Sequence, residues 1–309
     1  MKIVYMGTPE FAAVPLVKLH SIGQDIQLVV TQPDRPKDRG HKMQACPVKL
    51  KATELGLPVV TPEKVRGDQD FFDTLKILAP DLIVVAAFGQ ILPKEILDLP
   101  KYGCVNIHAS ILPEYRGAAP IHRAVIDGKT ETGVTLMYMG EKLDCGDIID
   151  VATTPVGRKT TPELFAELAV LGADLLADNL AKFENGSIKR IPQDDSKATY
   201  AKMVFKEDGR IDFTKSAVQI DCLVRGLYGG PSAWTLYNGE SIKIHRASPL
   251  PESCSAVPGT VISADKKGIK VSCGDGVLLL ENIQMPGKKA MDVSAFLLGN
   301  RIDIGTVLG

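Results

Sequence analysis

The sequence predicts a doubly wound α/β domain followed by a small β-barrel domain. Through the first 187 residues, short apolar runs alternate with helical patterns, an order typical of βαβ units in a Rossmann-like, mostly parallel sheet. From residue 209 onward, short β-type runs are separated by Gly, Pro, Asn and Asp, which is typical of a small OB-like barrel. We therefore predict a first domain over residues 1–187, a linker over 188–208 and a barrel domain over 209–309.

The first domain begins with an apolar run, residues 2–6, that is closed by Gly7-Thr8-Pro9. Only Gly7 stands where a dinucleotide fingerprint needs three glycines, so a nicotinamide-binding site is not expected. The first helix should begin near residue 12, with Pro15 in its first turn, where a missing N–H costs little. Further strands are expected at residues 26–31, 59–60, 81–86, 104–108, 132–139 and 148–154, and further helices at 47–56, 70–78, 120–127 and 161–185.

The second domain has one helix candidate, residues 216–227, ahead of a series of short strands. Its β-branched and aromatic runs are each bounded by turn residues, as expected for a meandering antiparallel barrel. The expected strands are residues 233–237, 241–245, 259–263, 268–272 and 277–283.

Composition limits the classes of function. The chain has 309 residues, 24% of them charged, and a net charge of −1, which argues against a protein-wide nucleic-acid footprint but not against a local basic patch. Its six cysteines form no CxxC pair, which favours reduced thiols over a disulfide scaffold or a zinc site. No apolar run approaches the roughly 20 residues of a membrane span, and no signal peptide is seen. We expect a cytoplasmic protein without a membrane partner.

Residues 32–44, QPDRPKDRGHKMQ, form the most basic loop of the first domain. Two prolines and a glycine argue against regular structure there. Most loops of this kind are solvated connections. The alternative is a mobile basic arm that contacts an anionic partner, and the sequence leaves both interpretations open.

The segment from Cys104 to Asp147 carries the residues best suited to chemistry. Asn106 and His108 are two positions apart in a predicted strand, so their side chains project from the same face. They would emerge near the carboxyl end of that strand, where ligands bind in an open parallel sheet. Asp144 follows in a loop. The sequence therefore predicts a site that combines an amide, an imidazole and a carboxylate.

This combination suits the attack of an amine on a carbonyl carbon. Asn106 could stabilise a developing oxyanion, His108 could move a proton near neutral pH, and Asp144 could orient the imidazole. A metal site is not expected, because no HxH, HExxH or CxxC pattern supplies ligands. Ser110 lacks the GxSxG elbow of a serine nucleophile. The alternative is that Asp144 has only a structural role, in a turn or as a helix cap.

Several motifs resemble one known family. The string NIHASILPEYRGAAPI, followed by TGVT and LDCGD, resembles the 10-formyltetrahydrofolate-dependent formyltransferase family. MGTPEFA, TQPDRPKDRG and AFGQILP resemble the branch of that family whose acceptor is methionyl initiator tRNA. KEDGRIDF and PGKKAM extend the resemblance through the second domain.

The resemblance implies specific roles. Asn106, His108 and Asp144 match the catalytic trio of formyl transfer, without a metal. The co-substrate would be 10-formyltetrahydrofolate, and the partner would be initiator methionyl-tRNA, bound by a monomeric enzyme of translation initiation. The implied folate-binding residues are Phe88, Gly89, Gln90, Ile91, Leu92, Ser110, Ile111, Leu112 and Pro113, and the implied tRNA or methionyl contacts are Arg39, Lys37 and Lys42.

Two other functions remain open at this point. Relatives with the same trio formylate a glycinamide ribonucleotide or a sugar-nucleotide amine, or hydrolyse the formyl group. A non-enzymatic alternative is a two-domain RNA-binding protein whose first domain is degenerate. The barrel domain and the DRPKDRGHK arm favour tRNA as the acceptor, since a small acceptor needs neither.

Overall fold

The computed structural model describes residues 1–37 and 42–309, and these divide into two compact units. Each unit gathers segments that are separated in the sequence. The domain boundaries expected at residues 187 and 208 remain predictions. The first unit comprises Met1–Gly117, Thr132–Thr154 and Phe165–Tyr200, and the second comprises Ala118–Glu131, Pro155–Leu164 and Ala201–Gly309.

The elements up to residue 201 include every strand and helix predicted for the first domain. The strands are β1 (Lys2–Gly7), β2 (Asp25–Val30), β3 (Arg35–Lys37), β4 (Lys42–Gln44), β5 (Val59–Val60), β6 (Leu82–Ala86), β7 (Cys104–His108), β8 (Arg116–Gly117), β9 (Glu131–Tyr138), β10 (Ile148–Pro155) and β11 (Tyr200–Ala201). The helices are α1 (Glu10–Ser21), α2 (Pro47–Glu54), α3 (Gln69–Leu78), α4 (Lys94–Leu97), α5 (Pro120–Ile126) and α6 (Thr161–Glu184).

The first unit is organised by a seven-stranded sheet in the order β10-β9-β7-β6-β1-β2-β5. The five strands from β5 to β7 run parallel, and β9 joins β7 antiparallel. The chain builds outward from β1 through β2 to β5 and then returns to place β6 on the other side of β1. This reversal is the topological switch point of a doubly wound fold, beside which ligands bind. The predicted Rossmann-like class is confirmed.

Two elements of the first unit differ from the sequence prediction. Helix α1 begins at Glu10 rather than near residue 12, because the carbonyl of Pro9 already accepts the amide hydrogens of Ala12 and Ala13. Pro15 therefore lies inside the helix instead of in its first turn. The basic loop is also more regular than expected. Strands β3 and β4 pair as a short antiparallel hairpin, with Arg35 opposite Gln44.

The second unit contains an antiparallel sheet with strand order β12-β13-β16-β15-β14, and β17 pairs with β16. One continuous apolar core lies under it and includes α7 residues such as Ile220 and Val224. The β-rich second domain is confirmed. Its elements are α7 (Ala217–Gly226), β12 (Ala233–Tyr237), β13 (Glu240–Leu250), β14 (Val261–Asp265), β15 (Gly268–Ser272), β16 (Val277–Gln284), β17 (Met291–Asp292) and α8 (Val293–Phe296).

The last residues of the chain connect the two outer strands of this sheet. On one side, the amide of Val261 donates to the carbonyl of Thr306 at 2.7 Å, and the amide of Leu308 donates to the carbonyl of Gly259 at 2.9 Å. On the other side, the amide of Gly309 donates to the carbonyl of Leu236 in β12 at 3.2 Å. This tail covers strand edges that would otherwise be open, which gives the sheet a barrel-like closure.

No helix within residues 1–37 and 42–309 combines the length and the apolar character that crossing a membrane requires.

Replacing Leu308 by Ala should destabilise the second unit, since this side chain is 3% exposed and belongs to the core. Truncation of a buried Leu typically costs about 2–5 kcal/mol. The neighbouring Val307→Ala is the matched control, because Val307 is 59% exposed and should change stability by less than about 0.5 kcal/mol. Urea unfolding followed by circular dichroism measures both. Equal stability of the two variants would contradict the closure by the tail.

Candidate active site

The candidate site lies at the carboxyl edge of the parallel strands of the first unit. β1, β6 and β7 end side by side at this edge. The loops that follow them are joined directly, because the hydroxyl of Thr8 donates to the carbonyl of Phe88 at 3.0 Å. The switch point between β1 and β6 therefore opens beside the predicted polar residues.

Asn106 and His108 lie two residues apart on β7, as the alternation predicts. His108 is 6% exposed, while Asn106 is half-buried. Across the described part of the chain, no protein group hydrogen-bonds the carboxamide of Asn106. This amide is therefore available as a donor to a bound molecule.

The imidazole of His108 lies between two oxygen atoms. Its Nε2 is 3.0 Å from the carbonyl oxygen of Tyr115, and its Nδ1 is 3.7 Å from Oδ2 of Asp144. A carbonyl can only accept, so Nε2 must carry a hydrogen. Nδ1 then faces the carboxylate. The structure thus brings His108 and Asp144 together although they are 36 positions apart, and it places a hydrogen on Nε2.

The loop between β9 and β10 presents Asp144 in an uncommon backbone conformation. Its φ is +50°, in the left-handed region that non-glycine residues rarely occupy. Oδ2 of Asp144, the atom nearest His108, accepts the amide hydrogen of Gly117 at 2.8 Å. The carboxylate is 11% exposed. Asp144 is therefore held in place by the backbone instead of being a free turn residue.

Two residues of this network were not predicted from the sequence. The Nε2 of Gln193 donates to the carbonyls of Asp144 and Gly146 at 2.9 and 2.7 Å, and its Oε1 accepts from Arg116. Arg116 itself is buried. The sequence signal that could have been followed is an arginine beside the small and apolar residues of RGAAPI, because such a cation is a candidate for burial and buried cations need partners. No feature of the sequence marked Gln193 as functional, because it lies in the polar stretch that was assigned to the linker.

The turn after β7 is fastened to the neighbouring strand. The hydroxyl of Thr135 donates to the carbonyl of Ser110 at 2.7 Å and accepts from the amide of Leu112 at 3.1 Å. The hydroxyl of Ser110 donates to the carbonyl of Glu114 at 2.6 Å, and the Leu112–Pro113 peptide bond is cis. The hydroxyl of Ser110 thus stabilises the turn through its hydrogen bond to Glu114. Of the predicted folate-binding residues 110–113, Ser110 and Leu112 are buried within this fixed turn, and Ile111 and Pro113 are partly exposed.

The other predicted folate-binding segment, residues 88–92, divides into core and surface residues. Phe88 and Leu92 pack in the core, whereas Ile91 is 65% exposed. The side chain of Gln90 is turned toward the preceding loop, where its Oε1 accepts from the amide of Val65 at 2.8 Å. Gly89 has a φ of +83°. The backbone and Ile91 are therefore the parts of this loop that face outward.

The predicted tRNA contacts are only partly described. Lys37 and Lys42 are paired backbone neighbours at the end of the β3-β4 hairpin, while Arg39 lies outside the described residues. The base of the hairpin is joined to the 88–92 loop. Nη2 of Arg35 donates to Oε1 of Gln32, and Nε2 of Gln32 donates to the carbonyl of Phe88.

Metal ligands and thiols are two other kinds of group that can carry chemistry in a protein site. No cluster of His, Cys, Asp and Glu that could hold a metal ion occurs in residues 1–37 or 42–309. Burial, with a smaller contribution from Asp98, raises the pKa of the Cys104 thiol to about 12. This thiol is therefore not a thiolate nucleophile at neutral pH. An amide donor, an imidazole and a carboxylate remain, and this set suits acyl transfer without a covalent enzyme intermediate.

Comparison with known proteins identifies the same chemistry. A family model described as formyl transferase matches residues 1–173, and one described as formyl transferase, C-terminal domain, matches residues 203–301. A methionyl-tRNA formyltransferase of Clostridium novyi is 47% identical over 309 residues, covering 100% of both chains. Another, of Clostridioides difficile, is 48% identical over 310 residues, again covering 100% of both chains.

Solved structures share the fold at lower identity. An N-formyltransferase from Helicobacter canadensis in complex with folinic acid and dTDP-3-aminofucose has a TM-score of 0.68 at 18% identity, covering 91% of this chain and 98% of its own. HypX from Aquifex aeolicus in complex with tetrahydrofolic acid has a TM-score of 0.62 at 18% identity, covering 99% of this chain and 50% of its own. These matches establish the fold.

Replacing Gly146 by Ala should displace the loop that carries Asp144. A Cβ at this position would lie 1.9 Å from the carbonyl oxygen of Tyr138, so the backbone must move, at a cost of about 1–3 kcal/mol. Gly140→Ala is the matched control, because a Cβ there would meet no atom within 4 Å. Thermal unfolding should separate the two variants, and hydrogen exchange at the Gly117 amide should be faster in Gly146→Ala alone. Indistinguishable variants would contradict the described loop packing.

Proposed function

Since this chain belongs to the methionyl-tRNA formyltransferase family, we propose that it transfers a formyl group from 10-formyltetrahydrofolate to the α-amine of initiator methionyl-tRNA. The products are N-formylmethionyl-tRNA and tetrahydrofolate. The observation that carries the proposal is the juxtaposition of His108 with Asp144, on the strand that also carries Asn106, whose carboxamide makes no hydrogen bond to another residue within residues 1–37 and 42–309. In this proposal the protein acts in translation initiation, in the cytoplasm and as a monomer.

The proposed chemistry is direct attack of the amine on the formyl carbon. The new bond joins that carbon to the methionyl nitrogen, and the bond that breaks joins it to the folate nitrogen. After the new bond has formed and before the old bond breaks, negative charge develops on the formyl oxygen. The carboxamide of Asn106 is placed to donate to this oxygen, and a single donor of this kind is typically worth about 3 kcal/mol of transition-state stabilisation.

His108 and Asp144 are proposed to stabilise charge and move the proton. The protonated imidazole donates through Nε2 to Tyr115 and presents its Nδ1 hydrogen toward Asp144. A doubly protonated ring would direct one hydrogen at each of the two facing oxygens and would add a positive charge beside the developing oxyanion. The amine loses a proton during the attack, and the departing folate nitrogen gains one. We propose that Asp144 accepts the proton from the amine and passes it to the folate nitrogen, with His108 as its charged partner.

The folate co-substrate fits the surfaces that flank the trio. The backbone of residues 88–92 and the exposed Ile91 would form one side of the site. The turn of residues 110–113 would form the other through its backbone and the partly exposed Ile111 and Pro113, since Ser110 and Leu112 are buried. Exposed apolar and backbone groups suit a flat heterocycle that needs stacking and hydrogen bonds at its edges. The residues present therefore fit the co-substrate.

Two features favour tRNA over a small amine acceptor. The β3-β4 hairpin that includes Lys37 and Lys42 begins beside the 88–92 loop, through Gln32 and Arg35. We propose that this basic segment, to which Arg39 belongs in the sequence, contacts the acceptor end of the tRNA. Basic segments of this kind bind phosphates by charge. The β-rich second unit is proposed as a further tRNA-binding domain. Relatives named for this acceptor match the chain over its full length.

Loss of either His108 or Asp144 should abolish most of the turnover. We expect His108→Ala and Asp144→Asn to form N-formylmethionyl-tRNA about 10²–10⁴-fold more slowly than wild type, since each removes a proton-transfer or charge-stabilising group. Asp147→Asn is the matched control, because the carboxylate of Asp147 pairs with Arg190 instead of facing His108. Its rate should stay within about twofold of wild type.

The assay incubates purified protein with 10-formyltetrahydrofolate and one of two acceptors, methionyl-tRNA or glycinamide ribonucleotide, and separates the formylated product. Formylation of methionyl-tRNA alone supports the proposal. Preference for the small acceptor would overturn the assignment of the acceptor, and undiminished rates in His108→Ala and Asp144→Asn would overturn the assignment of the trio.

A further inference from the structure

We propose that Gln193 is a positioning residue for catalysis, which fixes Asp144 in the orientation that faces His108. This inference rests on the proposed function, in which Asp144 acts on the proton and on the imidazole. Gln193 lies outside the motifs that suggested the family, in the stretch that the sequence analysis assigned to a linker. The side chain would act through Asp144 rather than on the substrate.

The carboxamide of Gln193 is fully engaged and can adopt only one orientation. Its Oε1 accepts from Nε and Nη2 of Arg116 at 3.1 and 2.8 Å. A guanidinium only donates, so the amide nitrogen must point the other way. There it donates to the carbonyls of Asp144 and Gly146, at 2.9 and 2.7 Å. Both of its hydrogens are therefore directed at the backbone that flanks Cys145.

The guanidinium that orients Gln193 is itself fixed. Arg116 is 3% exposed, and its Nη2 also donates to Oδ1 of Asp195 at 2.7 Å. Burial opposes its charged form, but hydrogen bonds to Asp195 and Tyr200 outweigh this effect and raise the pKa of Arg116 above its ordinary value. Arg116 thus remains a charged donor, and a flipped carboxamide would place an NH₂ group against it.

The loop needs such support because of its own geometry. Asp144 has a φ of +50° without being a glycine, a conformation that costs of order 1 kcal/mol or more and persists only when the surroundings enforce it. The bond from Gln193 acts on the carbonyl of that same residue. Its loss would let the peptide between Asp144 and Cys145 turn and carry the carboxylate away from His108.

A second attachment holds the outer end of the same loop and supplies the control. Arg190 donates to the carboxylate of Asp147 at 2.9 Å and lies over the ring of Tyr138 at 4.1 Å. Its side chain is 60% exposed, so the pair contributes little. Arg190 belongs to the same segment as Gln193 but does not touch Asp144. If substitutions acted only by loosening the segment, changes at Arg190 and at Gln193 would have similar effects. If the position of Asp144 is what matters, only the change at Gln193 should have an effect.

Gln193→Glu isolates the donor function of the side chain. A glutamate oxygen can still accept from Arg116, and the size is preserved, but neither oxygen can donate to the two carbonyls. We expect kcat for methionyl-tRNA formylation to fall about 10–100-fold, in line with the cost of misplacing a catalytic group by about 1 Å. KM for both substrates should stay within about threefold. Arg190→Ala should retain kcat within about twofold of wild type.

Hydrogen exchange at the Gly117 amide reports the position of Asp144 independently of activity, because this amide donates to Oδ2 of Asp144. It should exchange at least about tenfold faster in Gln193→Glu than in wild type or Arg190→Ala. Gln193→Met, which lacks polar atoms altogether, replaces Gln193→Glu if the latter fails to fold.

The outcomes separate this inference from the proposed function. A Gln193→Glu enzyme with kcat within about twofold of wild type, or an equal loss in Arg190→Ala, would overturn the positioning role. A wild-type protein that forms no formylmethionyl-tRNA would overturn the proposed function instead. The exchange rate of Gly117 would then still decide whether Gln193 fixes Asp144.

Discussion

The buried imidazole of His108, held between the carbonyl of Tyr115 and the carboxylate of Asp144, is the constraint on which the rest of the site depends. β7 brings the ring to the carboxyl edge of the sheet, beside the switch point between β1 and β6. The loop after β7 supplies the carbonyl, and the loop after β9 supplies the carboxylate.

Both loops are fixed by hydrogen bonds from other parts of the first unit. Thr135, which lies opposite His108 on β9, bonds the turn at Ser110 and Leu112. Gln193, from a segment about 50 positions beyond Asp144, bonds the carboxylate loop. Arg116 joins the two loops, since its own backbone follows Tyr115 while its guanidinium orients Gln193. The site is therefore preorganised by side chains that do not take part in the chemistry.

The surfaces proposed for the folate and for the tRNA are linked to each other by hydrogen bonds. The carbonyl of Phe88 accepts from both Thr8 and Gln32, and Gln32 in turn accepts from Arg35 at the base of the basic hairpin. Movement of that hairpin would therefore also displace the 88–92 loop, through the hydrogen bonds of Gln32. This arrangement gives the proposed acceptor and co-substrate surfaces a common anchor.

The sequence predicted the sheet, the strand β7 and the pairing of Asn106 with His108 on one face, because alternation and apolar runs report backbone structure directly. It also named Asp144 as the carboxylate that could orient the imidazole of His108, and the structure places the two side chains 3.7 Å apart. The carbonyl of Tyr115 could not have been predicted, since every residue carries that acceptor. Gln193 was missed because its partners, two backbone carbonyls and the guanidinium of Arg116, are remote in sequence. Pro15 was misplaced because the helix begins at a proline carbonyl, which leaves no pattern in the side chains.

Nitrogen-15 NMR of the imidazole of His108 tests the central claim most directly, since it observes the hydrogen on each ring nitrogen. The ring held between Tyr115 and Asp144 should show a protonated Nε2 whose hydrogen is protected from solvent exchange, and Asp144→Asn should alter the signal of Nδ1. An unprotonated Nε2, or a ring whose two nitrogens exchange freely and ignore the change at Asp144, would contradict the account.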